Sequence, residues 1–166
     1  MRRRRFIALL GSAMTAAGAL RAQQQPLPVI GWLFSGSPDP DDYRVTAFRQ
    51  GLNETGYFER LNVAIENRWA QGQNDRLPAL AADLVRRQVT VIVTPGTPAA
   101  LAAKAATSTI ATVFVIGFDP VQSGLVASLN RPGGNLTGVA TLNAELVAKR
   151  LDLLHELLPT TAAVAL

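Results

Sequence analysis

Residues 29–34 read Val-Ile-Gly-Trp-Leu-Phe, and this stretch decides the fold class. A continuous apolar run of this length is typical of a strand that is buried on both faces of a sheet. Segment 35–42, which follows it, is rich in Ser, Gly, Pro and Asp and is predicted to be a loop. A helix is then predicted to run to about Tyr57, with Asp41 or Asp42 as its cap. A buried strand that leads through a loop into a helix is the first half of a βαβ unit.

The same alternation of strand and helix continues along the chain. Further strands are predicted at 62–69, 89–94, 111–117 and 136–141. Further helices are predicted from Asp75 onward, and at 98–106, 120–129 and 143–158. Strands that alternate with helices at this spacing are expected to be parallel, with helices on both faces. The predicted fold class is therefore α/β, a three-layer, Rossmann-like parallel sheet flanked by helices.

Loops that follow three of the predicted strands are the candidate binding site. Open α/β sheets bind ligands at the carboxyl edge, where the strand order reverses. If the order is 2-1-3-4-5, this point lies between the first and third strands. Loop hydroxyl groups and the backbone N–H groups at helix starts suit a carboxylate or a phosphate. The candidate ligand-binding residues are Ser35, Gly36, Ser37, Gly96, Thr97, Phe118 and Asp119.

These residues also have a purely structural interpretation. Ser, Thr, Asp and Gly cap helices whatever the protein does, and Thr97 and Asp119 each precede a Pro that suits the first helical position. As a ligand group, Asp119 would offer an oxygen to an ammonium or hydroxyl group. Trp32, Tyr43 and Phe118 would supply an apolar wall. Both interpretations stay open on the sequence.

The first 22 residues are predicted to be a signal peptide. Arg2–Arg5 precede an apolar stretch at 6–20, which is shorter than the roughly 20 residues of a membrane-spanning helix. Residues 3–7, Arg-Arg-Arg-Phe-Ile, resemble a twin-arginine signal, and the Sec route stays open beside it. An uncleaved membrane anchor is the alternative. The net charge of +4 arises in this acid-free segment, so no nucleic-acid partner is expected.

Catalytic signatures are missing from the sequence. The chain has no Cys, which excludes disulfides, thiolate metal sites and a Cys nucleophile. His155, the single His, lies on a predicted helix far from the strand ends and is interpreted as a surface or domain-contact residue. There is no P-loop, no Gly-x-Ser-x-Gly and no His-Glu-x-x-His. We therefore predict no catalytic residue, no metal site and no cofactor.

Several short motifs extend over essentially the whole chain, and they are specific only when taken together. They lie at 28–31, 48–52, 76–81, 96–100, 119–121, 124–126, 131–138 and 149–154. With the leader, they resemble the ABC-transporter substrate-binding proteins of the type 1 periplasmic binding fold, relatives of binders for tryptophan or phenylalanine. The resemblance implies that the first-lobe ligand loops are the three loops named above.

The resemblance also implies one lobe of a two-lobe periplasmic-binding-protein fold of nearly double this length. Residues 23–141 would form the N-terminal α/β lobe, 142–159 a crossover helix, and 160–166 the start of a truncated second lobe. The implied function is periplasmic binding of a small solute, such as an amino acid, in an interlobe cleft. The implied partner is an ABC permease in the inner membrane, with membrane contact only through that permease or an uncleaved leader, and no enzyme activity. An exported Rossmann-like enzyme and a sensory ligand-binding domain are the alternatives.

Overall fold

The computed structural model describes residues 27–40, 42–143 and 146–157. The predicted leader and the predicted start of a second lobe at 160–166 lie outside these residues. The strands are β1 (Val29–Phe34), β2 (Ala64–Trp69), β3 (Val91–Pro95), β4 (Ala111–Ile116) and β5 (Leu136–Ala140). The helices of the described part are α1 (Tyr43–Glu54), α2 (Leu77–Arg86, after a 3-10 turn at Asn74–Arg76), α3 (Thr97–Ala106) and α4 (Leu146–Leu157).

The five strands form one sheet with the order β2-β1-β3-β4-β5. Every neighbouring pair of strands is parallel. The predicted α/β class, with a Rossmann-like parallel sheet flanked by helices, is therefore confirmed, and so is the order 2-1-3-4-5. Because β2 lies on one side of β1 and β3 on the other, the strand order reverses between β1 and β3, which is where such sheets bind ligands.

Helices α2 and α3 cover one face of the sheet and enclose its main apolar core. Leu33 of β1 and Ile92 of β3 are fully buried in this core. Leu77, Ala81 and Leu84 of α2 recur every three or four residues, so they face the sheet together and are buried.

Helix α1 covers the opposite face over β1, but not the part of that face formed by β4 and β5. Under α1, Trp32 packs against Phe48 with ring centroids 5.0 Å apart. On β4 and β5 the corresponding side chains of Val115 and Val139 are 47% and 59% exposed. Within the described residues, this half of the sheet face therefore has no helix over it.

Local sequence sets both ends of α1. Asp42 accepts a hydrogen bond from the Arg44 backbone N–H at 2.9 Å and is the N-cap, one of the two predicted caps. The helix proper ends at Glu54, a little before the predicted end near Tyr57. Gly56, with a φ of +84°, makes the left-handed turn that stops it, and the Tyr57 N–H donates back into the last turn of the helix.

The prediction of a helix at 120–129 is wrong. This segment forms a single turn in which the N–H groups of Leu125 and Val126 both donate to the carbonyl of Pro120. Gly124 has a φ of +70°, which ends the turn. The change of direction lets both Leu125 and Val126 be buried against β4. Burial of two successive apolar residues therefore outweighs the helical pattern.

Helix α4 lies within the predicted helix at 143–158. Val147 and Leu151 lie one turn apart on this helix, and both side chains are exposed. His155 is also exposed, as expected of a surface residue. Among the described residues, no helix has the length and apolar character needed to cross a membrane.

Candidate functional site

The carboxyl edge of the sheet carries all seven predicted site residues. Residues 35–37 follow β1, residues 96–97 follow β3, and residues 118–119 follow β4. Since β1, β3 and β4 are neighbours with a spacing of about 4.8 Å, the three loops start within about 10 Å of one another along one edge. The structure therefore places the predicted residues together, across the reversal point between β1 and β3.

The loop after β1 keeps unused backbone donors. Its carbonyl groups hold it in place, because Ser35 O accepts from the Gly72 N–H at 2.7 Å and Gly36 O from the Gln71 N–H at 2.9 Å. No hydrogen bond of the described residues uses the N–H groups of Gly36 and Ser37. This loop can therefore donate two adjacent hydrogen bonds to an anion without breaking the hydrogen bonds that hold it in place.

Glycine at position 36 lets the backbone of the loop lie close to the ring of Phe34, the last residue of β1. A Cβ added at Gly36 would lie 2.4 Å from the ring of Phe34, well inside van der Waals contact. The backbone of the loop therefore rests on the Phe34 ring, and a side chain at position 36 would displace either the ring or the loop.

The loop after β3 differs from its prediction. Thr97 is predicted as the N-cap of the next helix, but α3 begins at Thr97 and its N-cap is Gly96. Gly96 has a φ of +117°, which favours glycine, and its N–H donates to Val115 O at 2.8 Å. The Gly96 N–H is thus unavailable to a ligand. The Thr97 hydroxyl makes no hydrogen bond within the described residues and is therefore available to a ligand.

The loop after β4 is organised by Asp119. Its Oδ1 accepts from the Val121 N–H at 2.7 Å and the Gln122 N–H at 3.2 Å, so the predicted capping role is present. The capped element is the single turn described above rather than a helix. Oδ2 is the carboxylate oxygen left for a ligand. Phe118, beside it, is 58% exposed and offers apolar surface at the edge.

The predicted apolar wall is only partly correct. Trp32 is 3% exposed beneath α1, so it cannot line a cleft at the edge. Its indole Nε1 is buried and has no hydrogen-bond partner among the described residues. Tyr43, the first residue of α1, is strongly exposed and remains available. The wall would therefore consist of Tyr43 and Phe118.

Arg44 is a charged residue of this edge that the sequence pattern does not reveal. Its guanidinium carbon lies 4.3 Å from the ring centroid of Phe34. Nε and Nη2 donate to the two carboxylate oxygens of Asp42 at 2.8 and 2.9 Å. These hydrogen bonds lower the pKa of Asp42 and raise the pKa of Arg44. Only the spacing Asp-x-Arg at a predicted cap hints at the pair, and that spacing is common in helices of every function.

No group of three His, Cys, Asp or Glu residues is placed to hold a metal ion within residues 27–40, 42–143 and 146–157. The chemistry available at the edge is therefore that of hydrogen bonding and charge. It consists of two backbone N–H groups, a hydroxyl, a carboxylate oxygen and a guanidinium. Such a set can hold a small zwitterion or carboxylate.

Comparison with known proteins identifies the family of the chain. Residues 37–166 match the family described as ABC transporter substrate binding protein. A tyrosine-binding protein of Clostridioides difficile is 33% identical over 112 residues, which cover 68% of this chain and 32% of that protein.

Two solved structures share both fold and sequence with the chain. A conserved domain protein of Vibrio cholerae superposes with a TM-score of 0.73 at 30% identity, over 81% of this chain and 45% of that one. A Streptococcus pneumoniae ABC domain solved in complex with L-Trp gives a TM-score of 0.63 at 30% identity, over 69% and 39% of the two chains.

The chain belongs to the ABC transporter substrate binding protein family. The family consists of substrate-binding proteins that serve ABC transporters. The chain spans about a third of its curated relative and less than half of the solved chains that it matches.

Proposed function

We propose that the protein is the periplasmic solute-binding component of an ABC import system and has no catalytic role. The observation that carries this proposal is the family match over residues 37–166. It is supported by the strand order, which puts the three candidate loops at the reversal point of the sheet. The solute is held in a cleft between two lobes and passed to a permease in the inner membrane.

In this proposal, the described residues up to 141 belong to the N-terminal lobe. Residues 1–22 are the signal peptide that directs export, 23–141 the lobe, 142–159 the crossover helix and 160–166 the start of a second lobe. A second lobe would supply the opposing contacts and exclude water when the cleft closes. The exposed carboxyl edge of the sheet is the surface that this closure would cover.

The proposed solute is an amino acid, and an aromatic one is favoured. Its carboxylate is bound by the free N–H groups of Gly36 and Ser37, with the Thr97 hydroxyl nearby. Its ammonium group is bound by Oδ2 of Asp119, and Phe118 contacts its side chain. The C. difficile relative is named a tyrosine-binding protein and the S. pneumoniae structure contains L-Trp, which supports this choice.

Calorimetry and thermal-shift measurements on the full-length natural protein test the proposal. We expect one or a few L-amino acids, from a panel including tyrosine, tryptophan and phenylalanine, to bind and raise the melting temperature without being consumed. Asp119→Asn should weaken binding about 10-fold or more, since it removes a charged hydrogen-bond acceptor. Asp152→Asn on the exposed surface of α4 is the matched control and should leave affinity unchanged.

Other outcomes favour the alternative functions. Chemical consumption of the solute, or a cofactor that absorbs visible light, would instead support an exported enzyme. Solute binding without contact to a permease, tested by co-purification with the inner-membrane complex, would support a sensory domain.

A further inference from the structure

We propose that Arg44 binds the carboxylate of the solute and sets the preference of the site for carboxylates over their neutral amides. This inference rests on the proposed function, since it assigns a ligand group within the same site. It differs from the sequence-based assignment, in which loop hydroxyl groups and backbone N–H groups receive the anion.

The position of Arg44 is the first argument. Its guanidinium lies over the ring of Phe34, which is the last residue of β1. The backbone of Gly36 lies against the same ring. The ring of Phe34 therefore contacts both the guanidinium of Arg44 and the loop whose N–H groups are unused. This ring lies at the end of β1, which borders the reversal point of the sheet.

The orientation of Arg44 is the second argument. A guanidinium has five N–H donors, and the Asp42 carboxylate takes two of them, one on Nε and one on Nη2. Within the described residues, no hydrogen bond uses the three donors that remain on Nη1 and Nη2, and the Arg44 side chain is 42% exposed. The remaining edge has the fork geometry that receives a carboxylate through two parallel hydrogen bonds.

Asp42 acts as the positioning residue for this arrangement. Its side chain is 3% exposed, and Oδ1 also accepts the Arg44 backbone N–H. The carboxylate is thus fixed by the start of α1, and it fixes the guanidinium in turn. A pre-oriented cation loses little side-chain entropy when the ligand arrives, which favours binding.

Other arginines of the described chain are engaged differently. Arg68 bonds to Asp83, Glu66 and the carbonyl of Asn67, so its donors serve the fold. Arg49, five residues further along α1, pairs with Glu59 at 3.0 Å. Arg44 combines an aromatic support, a buried carboxylate partner and an open edge at the site.

The test compares acids with amides on the full-length natural protein. Calorimetry would measure affinity for L-tryptophan, L-tyrosine, L-tryptophanamide and L-tyrosinamide. We expect the wild type to prefer the acids, and Arg44→Gln to weaken acid binding by about 10- to 100-fold while changing amide binding little. Arg44→Lys, which keeps the charge without the fork, should recover part of the acid affinity.

Arg49→Gln is the matched control, because it removes a cation from the same helix outside the site, and it should leave both affinities unchanged. Unchanged amide binding by Arg44→Gln shows that the variant is folded. An unaltered acid-to-amide preference in Arg44→Gln, with a wild type that binds the acids, overturns the inference while the proposed function stands. A wild type that binds none of the four ligands contradicts both the aromatic amino-acid assignment and the role of Arg44.

Discussion

Asp83 shows how single charges link the stability of this fold to pH. Its carboxylate accepts from Arg68 at 2.6 Å, Arg86 at 2.9 Å and Arg87 at 3.0 Å. Hydrogen bonding to Arg68 is the main cause that lowers the pKa of Asp83 from 3.8 to about 2. A lowered pKa in the folded state means that the carboxylate stabilises the fold above pH 4, and that this contribution is lost as the pH falls toward 2.

Asp83→Asn should therefore lower the free energy of unfolding at pH 6. The difference from wild type should shrink as the pH falls from 4 to 2. Urea unfolding monitored by tryptophan fluorescence measures the difference from wild type at each pH. Asp152→Asn, on α4, is the control and should show no such convergence. A difference between Asp83→Asn and wild type that stays constant down to pH 2 would contradict the assignment.

Two glycines show how the same substitution acts differently in a strand and in a helix. Gly138 in β5 pairs with Phe114 of β4, and a Cβ at Gly138 would lie 2.1 Å from the Phe114 carbonyl oxygen. Gly51 in α1 has no atom within 4 Å of its added Cβ. Gly138→Ala should cost about 2–3 kcal/mol because the strands must separate. Gly51→Ala should stabilise by about 0.5–1 kcal/mol through lower backbone entropy in the unfolded chain.

Equilibrium urea unfolding of the two variants beside wild type checks both signs. Trp32 and Trp69 lie on β1 and β2, so their fluorescence reports on the sheet. If Gly138→Ala were as stable as wild type, β4 and β5 could not pair as described. A destabilised Gly51→Ala would mean that the exposed side of α1 is covered by another part of the protein.

The elements that the sequence predicts well are those with one dominant signal. β1 has an uninterrupted apolar run, and its predicted bounds match the structure residue for residue. Segment 120–129 carries a Pro, a capping Asp and apolar residues, which together predict a helix. Its conformation instead depends on burial against Phe114 and Ile116, which are distant neighbours that local sequence does not show. Long-range burial is therefore the physical reason for this error.

The site is predictable in position but not in chemistry. The strand order and the loop compositions place seven candidate residues at one edge, because parallel strands end on the same side of a sheet. Which donors are free depends on tertiary hydrogen bonds. The Gly96 N–H is taken by the Val115 carbonyl, whereas Gly36 and Ser37 keep theirs. Arg44 reaches the edge through contact with Phe34, and no periodic pattern encodes that contact.

At the scale of the whole molecule, the exposed apolar side chains of the described residues include two neighbouring groups. Val115 and Val139 are exposed on the face of β4 and β5, and Val147 and Leu151 are exposed on α4. Exposed apolar surface of this kind marks a site that another segment or molecule covers. The matched relatives are about twice as long as this chain, and the second lobe proposed above would cover this surface.

If the proposed second lobe is part of the natural protein, the 166-residue chain should be less stable and more prone to aggregate than that full-length protein. Each apolar Å² removed from water contributes about 25 cal/mol, so covering even a few hundred Å² is worth several kcal/mol. Melting temperature, light scattering on heating and binding of an apolar dye measure the difference. Val139→Thr should lower dye binding by the short chain and leave that of the full-length protein unchanged. Equal melting temperatures and equal dye binding for the two lengths would mean that these side chains stay exposed in the complete molecule.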